Sequence, residues 1–151
     1  MHADIDRDGR RALARLLRRL AAGLITNRQF EAALPRSHDA AVHEVWLLGI
    51  WPLYDDLIEH SMTGRWRLTR LQRSAVARIV LFLRAGLPYR YPRERSRVAL
   101  PVLLLSLITA GWYQRQRRMR RWRDADASVW PFFSKHELEN ACTSTAKPKA
   151  S

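Results

Sequence analysis

The chain has few of the features by which small enzymes and secreted domains are recognised. Cys142 is its only cysteine, so no internal disulfide can form, which favours the cytosol or a membrane face in contact with it. The first residues, MHADIDRDGRR, contain no apolar stretch, and we expect no cleaved signal peptide. The six glycines are isolated, which excludes a glycine-rich phosphate loop, and no nucleophile-elbow motif is present. We therefore predict no catalytic residues and no cofactor.

Lysine is also scarce. Only three of the 27 basic residues are lysine, in a chain with 14 acidic residues and a net charge of +13. Such a charge is typical of proteins that bind nucleic acid or anionic membranes. The preference for arginine, beside abundant alanine and leucine, is equally what a GC-rich genome produces. The charge leaves polyanion binding open, and a solvated basic surface is the favoured interpretation.

Segments of alternating apolar and polar residues are missing, whereas apolar residues recur at helical spacing along the chain. The length of 151 residues fits one domain. We therefore predict an all-α fold, a compact bundle of five or six helices over residues 1–142. The small polar residues at 143–151 predict a disordered tail.

A helical hairpin is predicted at about residues 9–34. Gly23 stands where a left-handed helix end is wanted, and Thr26 with Gln29 has the spacing of a capping box that opens a second helix. Pro35 should stop that helix. The first helix places a row of leucines on one face: Leu13, Leu16, Leu17, Leu20 and Leu24.

Two further helices are predicted in the middle of the chain. The first starts near Ser37 or Asp39 and should break after Gly49, because Pro52 removes a helical hydrogen bond. The second starts at Thr69, with Gln72 at capping-box spacing. The inward residues of the two helices are Val42, Trp46, Ile50, Leu53 and Leu57, and Val76, Ile79, Val80, Leu83 and Leu87.

Residues 98–113 are all uncharged and make up nearly all of the longest uncharged run, which ends at Gln114. As a helix, these sixteen residues span about 24 Å, short of the roughly 30 Å hydrocarbon core of a bilayer. Arginines flank the run on both sides, so the positive-inside rule gives no orientation. We therefore predict that this run is the central helix of a cytoplasmic protein. The alternative is attachment to the cytoplasmic membrane, peripheral or as a single span, through residues 98–113.

A run of arginines follows this segment. On a continuous helix Leu104, Trp112 and Trp122 fall on one stripe, so the arginine-rich part would be amphipathic. Its cations could contact lipid headgroups or nucleic acid, of which nucleic acid is the less favoured partner. The candidate contact residues are Arg115, Arg117, Arg118, Arg120, Arg121 and Arg123.

YDDLIEH, residues 54–60, is a weak polar cluster. On a helix Asp56 and His60 would share one face, as would Asp55 and Glu59, in the manner of metal ligands or acid and base pairs. No recognised ligand motif accompanies them elsewhere. We therefore predict no metal site and expect solvated or arginine-paired side chains.

VWPFF, residues 129–133, is a dense apolar cluster. Trp130, Phe132 and Phe133 could dock into a protein partner, since large aromatic side chains dominate interface hot spots. A monomer rarely exposes so large a cluster, so we favour a cluster that folds back onto the helices of its own domain. The predicted function is a non-enzymatic protein-interaction module with a basic surface, whose partner and oligomeric state the sequence leaves unknown.

Two resemblances add to these predictions. The segment LLRRLAAGLITNRQFEAAL resembles the hairpin of short SHOCT-type helical modules of bacterial proteins. The series GLITNRQFE, LYDDLIEH, VARIVLFLRAGLPYRYP and DASVWPFFSK resembles a family of small uncharacterised bacterial helical proteins, over residues 10 to about 137. Pro52 and the apolar residues 98–113 depart from that pattern. The resemblance implies no particular activity.

Overall fold

The computed structural model describes residues 5–55, 57–91 and 127–146. Within these ranges the chain forms helices and no β-strand, which confirms the predicted all-α class. The α-helices are α1 (Arg7–Ala21), α2 (Asn27–Ala32), α3 (Ala40–Val45), α4 (Arg70–Ala85) and α5 (Lys135–Ala146). A π-helical turn, Trp46–Ile50, and three 3-10 turns, Trp51–Leu53, Gly64–Trp66 and Ala127–Val129, join them.

The predicted N-terminal hairpin is present, with α1 and α2 at residues 7–32. Asp6 caps the start of α1, because its carboxylate accepts the backbone N–H of Gly9 at 2.8 Å. The hydroxyl of Ser37 donates to the same carboxylate at 2.7 Å. These two hydrogen bonds stabilise the charged form and hold the pKa of Asp6 below its ordinary value of 3.8.

The turn between α1 and α2 follows the sequence prediction closely. Gly23 has a positive φ of 71° and donates its N–H to Leu20, while the next residue donates to Arg19, as in a Schellman motif. Thr26 and Gln29 form the complete capping box of α2. Local side-chain and backbone chemistry therefore determines this turn.

The α-helical part of the middle helix ends four residues before the predicted break after Gly49. α3 ends at Val45, a π-helical turn follows, and Pro52 lies within the next 3-10 turn. The prediction that the inward stripe extends to Leu57 is wrong. The chain has left helical geometry before this residue, and 83% of Leu57 is exposed.

α4 lies antiparallel to α1. It begins at the predicted capping box of Thr69 and Gln72 and ends at Gly86, which has a positive φ of 67°. Leu87 was predicted to continue the inward face of the helix, but it lies past the helix end and packs half-buried against the core. The residues that α4 buries are Val76, Ile79, Phe82 and Leu83.

Arg10 is fully buried and connects three parts of the chain. Its guanidinium donates to both carboxylate oxygens of Asp39, the N-cap of α3. It also donates to the carbonyl of Leu87 at 2.6 Å and lies over the ring of Phe82, 5.5 Å from its centroid. The start of α1, the start of α3 and the end of α4 therefore meet at one side chain.

The C-terminal segment packs onto these helices. Phe132 is completely buried and meets Phe82 edge to face at 5.3 Å. The hydroxyl of Tyr91 donates to the carbonyl of Phe132 at 2.9 Å. The ring of Trp130 lies so close to Gly49 that a Cβ there would be 2.6 Å from it. A side chain at Gly49 would therefore displace this ring.

α5 begins directly after Ser134, whose hydroxyl accepts the N–H of Glu137 at 3.3 Å. The helix continues to Ala146, four residues into the segment predicted to be a disordered tail from residue 143. Residues 147–151 lie outside the described residues. The prediction of where the tail begins is therefore corrected for residues 143–146.

Several predictions fall on residues that the structure does not describe. The central apolar helix at residues 98–113 and the arginines from Arg115 to Arg123 are among them. In the part of the chain that is described, no helix is long and apolar enough to cross a membrane.

Candidate functional site

A groove runs along the surface between α1 and α4, where α1 ends and α4 begins. We call it the α1–α4 groove. Its volume of about 840 Å³ is that of roughly two turns of an α-helix, and it is open to solvent. It is lined by Arg15, Arg18, Arg19, Ala21, Ala22, Leu24, Arg73, Val76, Ala77 and Val80.

The floor of the groove is apolar. Ala22 and Ala77 are exposed, and their small side chains leave room above the helices. Leu24 stands at one end and is 70% exposed, although it belongs to the predicted inward row of leucines. Together with the alanine and valine floor, this leucine forms a contiguous apolar surface.

The rim of the groove is basic. Arg15, Arg18 and Arg19 project from α1, and Arg73 projects from α4. All four are exposed, and in the described ranges none of them forms an ion pair. Among the described residues, no acidic side chain lines the groove. The four charges therefore repel one another, and a bound carboxylate would relieve that repulsion.

The turn after α1 determines where Leu24 lies. Gly23 adopts a left-handed conformation that other residues rarely reach, and a Cβ on it would lie 2.6 Å from the side chain of Thr63. The chain therefore reverses sharply after α1. This reversal leaves Leu24 on the surface beside the groove, while the following residue, Ile25, is buried.

The polar cluster at residues 54–60 is a loop, so the prediction that it is helical is wrong. The side-chain amide of Asn27 donates to the carbonyls of Asp55 and Ile58, at 2.7 and 3.0 Å. The amide oxygen of Asn27 accepts the N–H of His60 at 3.0 Å. Backbone groups that would bond within a helix are thus bound to one asparagine, so the described pair Asp55 and Glu59 does not share a helix face. Asp56 lies outside the described residues.

His60 is buried, and its side chain contacts other residues of the fold. Its Nδ1 donates to the carbonyl of Ile58 at 2.7 Å, and its ring stacks on Trp66 with centroids 4.0 Å apart. Its Nε2 is buried and has no hydrogen-bond partner among the described residues. Glu59 instead accepts a hydrogen bond from the hydroxyl of Thr26 at 2.7 Å. In the described part of the chain no three His, Cys, Asp or Glu side chains are grouped so that they could hold a metal ion.

The aromatic side chains proposed for partner docking lie within or against the chain's own core. Phe132 is completely buried, so it is not available to a partner, and this part of the docking prediction is corrected. Trp130 is half-buried, and its indole N–H donates to the hydroxyl of Tyr89 at 3.4 Å. Phe133 is half-buried under the guanidinium of Arg90, 5.9 Å from its ring centroid.

The groove was missed because its arginines were interpreted as the ordinary polar face of α1. One signal was present in the sequence, since no acidic residue occurs between Asp8 and Glu31. Helix surfaces usually carry charges of both signs, which pair at i and i+4. The absence of such pairs around Leu24 could have indicated a surface that binds an acidic partner.

Comparisons of the chain with protein-family models, with curated proteins and with solved structures gave no match. The resemblances drawn from the sequence therefore stay predictions, and the function must be argued from the geometry of the chain itself.

Proposed function

We propose that the protein is a non-enzymatic interaction module that binds an acidic protein segment in the α1–α4 groove. The bound segment would place aliphatic side chains on the alanine and valine floor and carboxylates against the four arginines. Arginine suits this role because its planar fork binds a carboxylate through two hydrogen bonds and is weakly hydrated.

One observation carries the proposal, the exposure of Leu24 in a groove lined by four arginines that form no ion pair within the described ranges. Covering this side chain would contribute about 1 to 2 kcal/mol of hydrophobic free energy. Each arginine at the rim adds specificity for negative charge more than affinity, because exposed ion pairs contribute little. The expected partner is therefore both apolar and acidic.

The size of the groove suits a protein segment, because a volume of about 840 Å³ accommodates a single helix or loop. The described residues contain no strand, so addition of a strand to a sheet edge is not available as a binding mode there. The alternatives of membrane attachment through residues 98–113 and polyanion binding through Arg115 to Arg123 stay predictions on residues outside the described ranges.

The test uses a labelled synthetic helical peptide with leucine and glutamate on one face. We expect the full chain to bind it in fluorescence anisotropy, and a matched peptide with lysine in place of glutamate to bind at least tenfold more weakly. Substitution of Arg18→Glu together with Arg73→Glu should abolish binding. Arg84→Glu is the matched control, since Arg84 is also exposed on α4 but lies at its other end, outside the groove.

Three outcomes would contradict the proposal. The groove is excluded as the binding site if the double variant and Arg84→Glu weaken peptide binding equally. Selectivity for acidic segments is excluded if the lysine peptide binds as tightly as the glutamate peptide. Anionic phosphatidylserine vesicles form the third arm. Vesicle binding that depends on the same two arginines, without peptide binding, would assign the groove to a lipid surface.

A further inference from the structure

The loop at residues 54–60 exposes two aliphatic side chains between acidic ones. Leu57 is 83% exposed and Ile58 is 49% exposed. Asp55 and Glu59 flank them, and in the described ranges neither carboxylate forms an ion pair. In the sequence, three of the 14 acidic residues of this basic chain stand in seven successive positions. The described residues Asp55, Leu57, Ile58 and Glu59 combine negative charge with exposed aliphatic side chains, and we call them the acidic loop.

Asn27 holds the described backbone of the acidic loop, since it bonds to the carbonyls of Asp55 and Ile58 and to the N–H of His60 beside them. At its start, the hydroxyl of Tyr54 donates to the carboxylate of Glu31 at 2.8 Å. Within it, the carboxylate of Asp55 accepts the N–H of Leu57 at 2.9 Å. A loop that is already ordered loses little entropy on binding, which favours its use as a recognition element.

The acidic loop has the chemistry that the α1–α4 groove requires, namely aliphatic side chains flanked by carboxylates. We propose that two copies of this chain associate, with the acidic loop of each copy seated in the groove of the other. This inference rests on the proposed function of the groove. Within one copy the two surfaces do not cover each other, because both Leu24 and Leu57 are largely exposed.

The positions of the two surfaces permit such an exchange. Thr26 and Ser61 form an isolated antiparallel bridge, so the end of the acidic loop lies beside the turn that follows Leu24. The groove and the acidic loop therefore lie next to each other on the surface of the folded chain. A two-fold axis beside them would pair each groove with the partner's loop, as in the self-complementary interface of a symmetric dimer.

The association should be weak. The contact consists of a short loop and a shallow groove. Unless other residues add to it, we expect such a contact to bury less surface than the roughly 1,200 Å² of a stable interface. Two chains that each carry a net charge of +13 also repel each other. We expect a dissociation constant on the order of micromolar.

Sedimentation velocity of the full chain, between about 1 and 200 µM, tests the proposal. Leu57→Ser should raise the dimer dissociation constant about tenfold or more, since a two-fold contact buries this leucine twice. Leu71→Ser is the matched control. Leu71 is also 83% exposed but lies outside both the groove and the loop, so its substitution should leave the constant unchanged.

A charge exchange tests which surfaces meet. The groove variant, Arg18→Glu with Arg73→Glu, and the loop variant, Asp55→Lys with Glu59→Lys, which keeps Leu57, should each be monomeric. Their equimolar mixture should form a heterodimer, because the reversed loop then meets the reversed groove and the native loop meets the native groove. Thermal melting by circular dichroism verifies that each variant is folded.

The results separate this inference from the proposed function. A chain that stays monomeric at 200 µM, or a dimer that Leu57→Ser and Leu71→Ser affect equally, overturns self-association. If the acidic peptide still binds the groove in that case, the proposed function stands with another partner. If the mixture of the two variants stays monomeric while the unmodified chain dimerises, the surfaces that meet are not the groove and the loop.

Discussion

Arg10 provides the sharpest test of what stabilises the fold. We predict that Arg10→Met lowers the stability of the protein by about 3 kcal/mol, because removal of one partner from a buried ion pair costs roughly 3 to 5 kcal/mol. Methionine keeps most of the apolar stem of arginine and removes the guanidinium. The change therefore measures what the hydrogen bonds and the ion pair of the guanidinium contribute, with most of the side-chain packing kept.

The lower end of that range follows from what the variant leaves behind. Asp39 still accepts the backbone N–H groups of Ala41 and Asp6, at 2.8 and 3.2 Å, so its carboxylate is not wholly without donors. The carbonyl of Leu87 loses its arginine donor. For a domain of this size each kcal/mol lowers the melting temperature by about 2 to 4 °C, which gives a total decrease of about 6 to 12 °C.

The assay is urea unfolding monitored by circular dichroism, with Arg11→Met as the matched control. Arg11 is the next residue on α1 and is exposed, with one contact of 3.5 Å to the exposed carboxylate of Asp8. Its substitution should change stability by less than about 0.5 kcal/mol. A loss below about 1 kcal/mol for Arg10→Met would refute the assignment of Arg10 as the connection between α1, α3 and α4.

A double-mutant cycle then measures the pair itself. Asp39→Asn keeps the N-cap of α3 but removes the negative charge opposite Arg10. If Arg10 and Asp39 stabilise the fold through their mutual contact, the double variant should lose less stability than the two single variants lose together. The difference should be about 1 to 3 kcal/mol. Additive losses would mean that each residue acts through other contacts.

Three further predictions follow from the same contacts. Gly23→Ala should lower the free energy of unfolding by about 1 to 2 kcal/mol for its left-handed backbone, and by more because its Cβ clashes with Thr63. Gly64→Ala, whose Cβ would stand in open space, should cost only the backbone part, and chemical unfolding compares the two variants. Because the folded pKa of Asp6 lies below 3.8, its contribution to stability is present above pH 3.8 and is lost as the pH falls through the folded pKa; unfolding between about pH 5 and 2 should show a smaller acid dependence for Asp6→Asn. Phe132→Ala should cost about 3 to 5 kcal/mol, and a loss below 1 kcal/mol by the same assay would argue against its place in the core.

The parts of the fold that were predicted correctly depend on neighbouring residues. The capping boxes at Thr26 and Thr69 each join a side chain to a backbone group three residues away, and the helix ends at Gly23 and Gly86 need only one left-handed residue. Pro52 breaks its helix whatever surrounds it. Such signals act within one or two helical turns, so the neighbouring residues in the sequence are enough to predict them.

Other features depend on contacts between distant residues. Arg10 is buried because Asp39 and the carbonyl of Leu87 meet it from 29 and 77 positions away, while Arg11 beside it is exposed. Residues 54–60 have helical spacing, but Asn27 binds their backbone and no helix forms. Residue type and periodicity could not distinguish these cases, because the deciding partner lies elsewhere in the chain.

The proposed groove and acidic loop are linked through one short segment, GLITN at residues 23–27. Gly23 ends α1 and leaves Leu24 beside the groove, while Thr26 binds Glu59 and Asn27 binds the backbone of the loop. The spacing between the two surfaces is thus fixed by residues close together in sequence and in space. The membrane and polyanion predictions fall on residues 98–123, outside the described residues, so each set of predictions must be tested separately.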